Sequence, residues 1–170
     1  MKFPYRKILI VGCGGAGKST LAGKMGELFG LPVVHLDKLW WLPGWRHRTC
    51  EEFDLLLAEE LKKPVWIMDG NFVRTFAERL QYCECCVFLD LDTETCLKSA
   101  FARAEEFRGR TRPDMTEGCN EYVDPAFEEW ITTFRENIRP EMLAHMQDSG
   151  KPCFVFKTRE DAYDWLERFE

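Results

Sequence analysis

Apolar residues fall along this chain in two rhythms. Short contiguous runs recur at Lys7–Val11, Pro32–Leu36, Val65–Met68, Cys85–Leu89 and Pro152–Phe156. Apolar, β-branched-rich runs of that length predict strands buried on both faces of a parallel sheet. Between them, apolar positions repeat at helical spacing. Leu21, Ala22, Met25, Leu28 and Phe29 form one such face, and Leu97, Ala100, Phe101, Ala104 and Phe107 another. Phe53, Leu56, Leu57 and Ala58 trace a third, Phe127, Trp130, Ile131, Phe134 and Ile138 a fourth, and Ala162, Trp165, Leu166 and Phe169 the last.

The boundaries carry their own chemistry. Gly30 and Pro32 stop the first helix; Thr49-Cys-Glu-Glu52 has capping-box spacing and opens the second. The segment after Asp69-Gly-Asn-Phe-Val-Arg74-Thr75 enters a further helix. Asp92 or Thr93, Asp124 or Pro125, and Thr158 start the later ones. Pro140 either breaks its helix or opens a second segment reaching about Gln147. Strand and helix alternate five times, which predicts an α/β fold: one domain over residues 1–170, a five-stranded parallel sheet with helices on both faces.

The junction of the first strand and helix is unusual. Gly12-Cys13-Gly14-Gly15-Ala16-Gly17-Lys18-Ser19-Thr20 fits G-x-x-x-x-G-K-[ST], the phosphate-binding loop (P-loop, Walker A). Glycines let backbone N–H groups turn inward onto a polyphosphate, and the following helix adds its dipole. Lys18 is expected on the β/γ-phosphates and Ser19 on Mg²⁺. ATP and Mg²⁺ are therefore the expected cofactors, with residues 12–20 binding the nucleotide. Cys13, among the loop's donors and near Lys18, is expected to have a lowered pKa.

Composition narrows the class. A hydrophobic share of 45% and a charged share of 31% in 170 residues describe a globular protein with a full core. The polar N-terminus does not read as a signal peptide and no run has membrane-span length, so the expected location is cytoplasmic, with no membrane partner. Eight cysteines without a secretory signal do not form a disulfide framework, and Cys83, Cys85 and Cys86 read as small apolar residues at the start of a strand. A net charge of −6 argues against a broad nucleic-acid surface. Positive charge is instead local: Arg108, Arg110 and Arg112 alternate around Gly109 and before Pro113, and predict a mobile loop that closes over phosphates.

Other candidates lie just past strand ends, where open α/β sheets gather function. Asp37 follows the second strand, placed to orient or deprotonate an acceptor hydroxyl. Leu39–Trp45, with Trp41 and Trp45, is either a pocket that stacks a flat acceptor or a hydrophobic cover on the core. Asp69 ends the third strand, as a Walker-B-type carboxylate holding Mg²⁺ through water. Arg74 is expected as a fork for a substrate phosphate or carboxylate.

These motifs together resemble the adenylate-kinase-related branch of P-loop kinases, and within it the small bacterial DNA topology modulation proteins (FlaR-like). The resemblance covers nearly the whole chain. It rests on Gly12–Thr20, His35-Leu-Asp37…Trp41 with Pro43-Gly-Trp45, Asp69-Gly-Asn71, and Arg108-Gly-Arg-Thr-Arg-Pro-Asp-Met115 with Glu117-Gly118. It implies a P-loop three-layer αβα fold, a short lid over about 108–124, and ATP-dependent phosphoryl transfer to a small acceptor, a nucleotide or nucleoside. It also implies lid arginines Arg108, Arg110 and Arg112 on the moving phosphoryl, Asn71 and Arg74 on the acceptor side, and Lys157, Thr158 and Arg159 near the adenine. The chain departs from the adenylate-kinase Asp-Gly-Phe-Pro-Arg-Thr motif by one extra residue before Arg74 and by lacking its proline. A shikimate- or gluconate-type metabolite kinase and a nucleotide-dependent DNA regulator are the rival expectations.

Overall fold

A computed structural model of the chain describes residues 3–169. From the N-terminus it runs β1 (Lys7–Gly12), α1 (Lys18–Phe29), β2 (Val33–His35), α2 (Leu36–Trp40), β3 (Trp41–Leu42), β4 (Arg46–His47), α3 (Cys50–Lys62) and β5 (Trp66–Asp69). A 3-10 turn (Val73–Thr75) leads into α4 (Phe76–Tyr82), β6 (Cys85–Leu89), α5 (Thr93–Glu106), α6 (Pro125–Asn137), α7 (Arg139–Ser149), β7 (Cys153–Phe156) and α8 (Arg159–Glu167). The five expected strands form one parallel sheet in the order β2-β5-β1-β6-β7, within a three-layer α/β/α arrangement. Its central strands are buried along their length, as their uninterrupted apolar runs require. Among the described residues no helix is long and apolar enough to cross a membrane.

The helix boundaries follow the capping chemistry. Thr49 Oγ1 accepts from the Glu52 N–H at 3.2 Å while Glu52 Oε2 accepts from the Thr49 N–H at 2.8 Å, a complete capping box. Asp92, Asp124 and Thr158 cap α5, α6 and α8 in the same sense, and Gly30 ends α1 in the left-handed region. Pro140 sits in the first turn of α7, where its missing N–H costs nothing, so it opens a second helix. Cys83, Cys85 and Cys86 are buried and free; burial pushes the Cys83 thiol up to about 11.

Two features fall outside the expected pattern. Leu39–Trp45 is divided between α2 and a small antiparallel hairpin of β3 and β4, turning at Pro43-Gly44. The second feature is a buried hub at the carboxyl end of β6. Asp90 is 2% exposed and accepts hydrogen bonds from Arg139 Nε and Nη2 (2.7 Å each), Arg135 Nη1 (3.0 Å) and Lys157 Nζ. One carboxylate thus ties the sheet to α6, α7 and the chain after β7.

Burial alone would raise the Asp90 pKa, but Arg139 and Lys157 outweigh it and hold it below its ordinary value of 3.8. A depressed carboxylate contributes stability that is present above its unfolded pKa and is lost as pH falls through the folded one. Asp90→Asn is expected to cost about 3 kcal/mol at neutral pH, because three cations lose their counter-charge. Thermal melts from neutrality down to about pH 2 check this: the variant is expected to show a shallower loss of Tm below about pH 4 than the native protein.

Candidate functional site

β1 delivers the chain to the carboxyl edge of the sheet, between β5 and β6, and the glycine-rich loop turns there into α1. At Gly15, with φ +78°, a Cβ would lie 2.2 Å from the Cys96 carbonyl oxygen on α5, so only glycine fits. Gly17 caps α1 at φ +100°, and a Cβ there would press on Arg159 Nε at 3.1 Å. The loop is held from two sides. Asn71 donates to the Gly12 carbonyl (2.6 Å) and accepts from the Gly12 N–H (3.0 Å). Arg159 donates to the carbonyls of Gly15 (2.5 Å) and Ala16 (3.0 Å) and to Ser99 Oγ (2.7 Å).

Lys18 reaches back over the loop and donates from Nζ to the Cys13 carbonyl at 2.9 Å. Burial lowers its proton affinity, opposed by the neighbouring Cys13, Asp69 and Asp37. Ser19 Oγ lies 2.5 Å from Asp69 Oδ2. The parallel register sets His35 of β2 beside Asp69 of β5, and His35 Nδ1 lies 2.6 Å from Asp69 Oδ1. Burial works against the His35 cation, yet its bond to Asp69 prevails and raises its pKa. Both oxygens of the strand-end carboxylate are therefore engaged, one on each side.

These groups open into a cavity of about 1200 Å³. Its walls include Gly14, Gly15, Gly17, Lys18, Ser19 and Thr20 from the loop and α1, and His35, Asp37, Asp69 and Asn71 from the strand ends. Trp40, Trp41, Trp45, Arg103, Arg112, Asp114, Glu121, Trp130 and Arg159 are also among them. Gly12 and Ala16 are buried behind the loop rather than on the wall. Asp37 has a raised pKa, from burial first and then the adjacent Asp69, with Lys18 and Arg112 opposing.

Several sequence-derived residues lie elsewhere. Arg74 does not line the cavity; its guanidinium makes a two-pronged pair with Asp54 on α3 (2.6 and 3.0 Å) at the surface. Arg108 is exposed and pairs with Glu105 (2.5 and 2.7 Å), and Arg110 donates to the Glu106 carbonyl. Neither lines the cavity. Of the three alternating arginines only Arg112 does. It is 8% exposed, with Nε on Glu121 (2.5 Å) and Nη1 on Asp114 (2.7 Å). The arginine loop is docked on the tryptophan hairpin. Gly44 N–H donates to the Gly118 carbonyl (3.0 Å), Trp45 Nε1 to the Asn120 carbonyl (3.0 Å), and Thr116 Oγ1 to the Trp41 carbonyl (2.8 Å). Cys13 departs as well: its pKa is raised, through its bond to the Cys96 thiol and burial, which outweigh Lys18.

No protein-family model matches the chain and no curated protein matches it. Solved structures do. Shikimate kinase from Acinetobacter baumannii in complex with shikimate aligns over 97% of this chain and 93% of its own, at a TM-score of 0.64 and 17% identity. Shikimate kinase from Bacteroides thetaiotaomicron covers 91% and 86% at a TM-score of 0.52 and 16% identity. Deoxyadenosine kinase from M. mycoides with bound dATP covers 95% and 99% at a TM-score of 0.55 and 15% identity. The fold is the P-loop kinase fold.

Within that fold this chain has supports that its local sequence does not announce. Arg79 on α4 is fully buried and donates to the carbonyls of Gly70 (3.2 Å), Asn71 and Phe72 (3.3 Å) and to Thr75 Oγ1 (3.2 Å). It fixes the segment that carries Asp69 and Asn71, including Phe72 at φ +38°. Glu121 is the other: its two oxygens hold Arg103 (3.0 Å) and Arg112 (2.5 Å), joining α5 to the arginine loop.

Proposed function

We propose that this protein is an ATP- and Mg²⁺-dependent phosphotransferase that passes the γ-phosphoryl group to a hydroxyl of a small acceptor, of nucleotide or nucleoside type rather than a shikimate- or gluconate-like metabolite. The observation that carries this reading is the convergence of Lys18, the Ser19–Asp69 pair and Asp37 on one cavity. Its motifs further support membership of the FlaR-like branch, a cytoplasmic location, and a lid function for residues 108–124.

The residues present fit both cofactors. Ser19 Oγ and the Asp69 carboxylate are hard oxygens, and Mg²⁺ commonly takes one or two such protein groups while keeping waters and phosphate oxygens. Among the described residues no trio of His, Cys, Asp or Glu forms an all-protein metal cage, so the ion fits as the companion of a bound polyphosphate. When bound, Mg²⁺ neutralises charge on the β- and γ-oxygens. Lys18 leaves the Cys13 carbonyl for the phosphates. Arg112 uses Nε and Nη1 on Glu121 and Asp114, and Nη2 remains for the moving phosphoryl. Arg108 and Arg110 reach it only by releasing Glu105 and the Glu106 carbonyl, so their part depends on loop rearrangement. Arg159 presents a guanidinium plane on which a base stacks. Asp37, with its raised proton affinity, accepts the proton of the acceptor hydroxyl.

The test is ADP release from Mg·ATP with nucleosides, nucleoside monophosphates, shikimate, gluconate or DNA added in turn. An acceptor that raises turnover well above background is expected, and Asp37→Asn should reduce that acceptor-dependent rate by about 10²–10⁴-fold while ATP binding persists. Stimulation by DNA and by no small acceptor would instead support a DNA regulator.

A further inference from the structure

The cavity's cations are already matched. Arg103 and Arg112 share the two oxygens of buried Glu121, and Arg112 also pairs with Asp114. Arg159 is bonded to loop carbonyls, and Lys18 belongs to the polyphosphate. Arg74, the one arginine whose sequence position suggests an acceptor anion, is on the surface with Asp54. Against one lysine, three arginines and His35 the cavity wall carries six carboxylates. Mg·ATP arrives with further net negative charge. An anionic acceptor would meet guanidinium groups whose charge Glu121 and Asp114 already offset, and would bring a further negative charge beside Asp37 and Asp69.

The acceptor side is aromatic. Trp41 and Trp45 stand edge to face with centroids 5.2 Å apart, and Trp45 and Tyr122 do so at 5.5 Å. Trp45 is held at φ +58°, a conformation that bulky residues rarely adopt. Its indole is fixed by the bond from Nε1 to the Asn120 carbonyl. A tryptophan kept strained at the mouth of a cavity, where it is only half-buried, is placed for recognition rather than for core packing.

We infer that the acceptor is a flat aromatic alcohol without an anionic group, a nucleoside rather than a nucleoside monophosphate or a carboxylate metabolite, with its hydroxyl toward Asp37 and its base against Trp41 and Trp45. This rests on the phosphotransferase reading above and narrows it. The Asp37 carboxylate suits this acceptor in particular, since a hydroxyl must lose a proton as it attacks, whereas a monophosphate oxygen need not.

Equilibrium binding to the full chain, loaded with Mg²⁺ and a non-hydrolysable ATP analogue, separates the two ideas. The acceptor probes are matched pairs: adenosine against AMP, thymidine against dTMP and cytidine against CMP, with shikimate as the carboxylate. In at least one pair the nucleoside is expected to bind about 100-fold or more tightly than its monophosphate, and shikimate not to compete. Glu121→Gln, which frees two guanidinium groups, should narrow that ratio at least tenfold or so by favouring the monophosphate. Asp114→Asn frees Arg112 alone and gives the same reading if the first variant does not fold. A monophosphate or shikimate binding as tightly as any nucleoside overturns the inference, as does binding of no nucleoside at all; in either case the phosphotransferase reading survives if the ATP analogue binds. Failure of the analogue itself would sink the reaction instead.

Discussion

Lys18→Ala is expected to lower acceptor-dependent ADP release by about 10³-fold or more, roughly 4 kcal/mol of lost transition-state stabilisation. Among the described residues no carboxylate holds its ammonium by a hydrogen bond: Nζ meets the Cys13 carbonyl, at 2.9 Å. A polyphosphate can therefore recruit it by displacing a single neutral bond. The same fact predicts that the fold tolerates its removal. Burial already disfavours the Lys18 cation, so deleting it relieves a desolvation cost as it removes one hydrogen bond. Tm should change by no more than about 2 °C. Lys18→Arg should fail nearly as badly, because a planar fork does not reproduce a compact ammonium in a loop this tight. Full activity in Lys18→Ala, measured beside its melting curve, would remove the P-loop from the chemistry.

The parts of this molecule that the sequence makes plain are those set by neighbours in the chain. Five apolar runs, the P-loop and the caps at Thr49, Asp92, Asp124 and Thr158 all depend on residues within a few positions of one another, and each stands where expected. The β3–β4 hairpin has a local signal too, Pro43-Gly44, yet two-residue strands are too short to show a period-two pattern. Misplaced roles arise where a partner is chosen in three dimensions. Arg112 finds Glu121 nine residues on and Arg74 finds Asp54 twenty residues back, because the loop and α3 fold onto them. Arg108 is the exception: Glu105 sits three residues before it, a spacing at which helical charges meet, so its pairing could be read from the chain. His35 and Asp69 meet only through the β2–β5 register.

The docked arginine loop changes how closure is understood. Gly118, Asn120 and Thr116 bond to the hairpin that carries Trp41 and Trp45, so the arginine loop and the hairpin are joined. Under the proposed function, an acceptor that settles against the tryptophans would act on the loop that carries Arg112. Recognition and phosphoryl stabilisation would then be coupled through these bonds, a way for binding energy at the acceptor to serve the transition state.

The same logic extends behind the site to Arg79. Arg79→Ala is expected to destabilise the protein by about 3–5 kcal/mol, lowering Tm by roughly 10 °C or more. A fully buried guanidinium with no carboxylate partner among the described residues looks expendable, and burial does lower its pKa to about 10. Its partners are what decide the sign. The carbonyls of Gly70, Asn71 and Phe72 are backbone acceptors that no substitution at position 79 removes, and each loses a donor when Arg79 goes. An apolar isostere does not escape this, so Arg79→Met should recover the lost packing but not the lost bonds. Arg79→Lys should recover only part, since one ammonium cannot span three carbonyls set out for a fork. The second consequence is catalytic. Asp69 and Asn71 flank Gly70, and Asn71 holds Gly12 at the entrance to the P-loop. Loosening that segment should therefore lower turnover beyond the unfolded fraction, with the affinity for Mg·ATP falling as well. Denaturant titration beside kinetics at a temperature where the variant remains folded separates the effects. Unchanged kinetics in a folded but less stable Arg79→Ala would make Arg79 a purely structural residue.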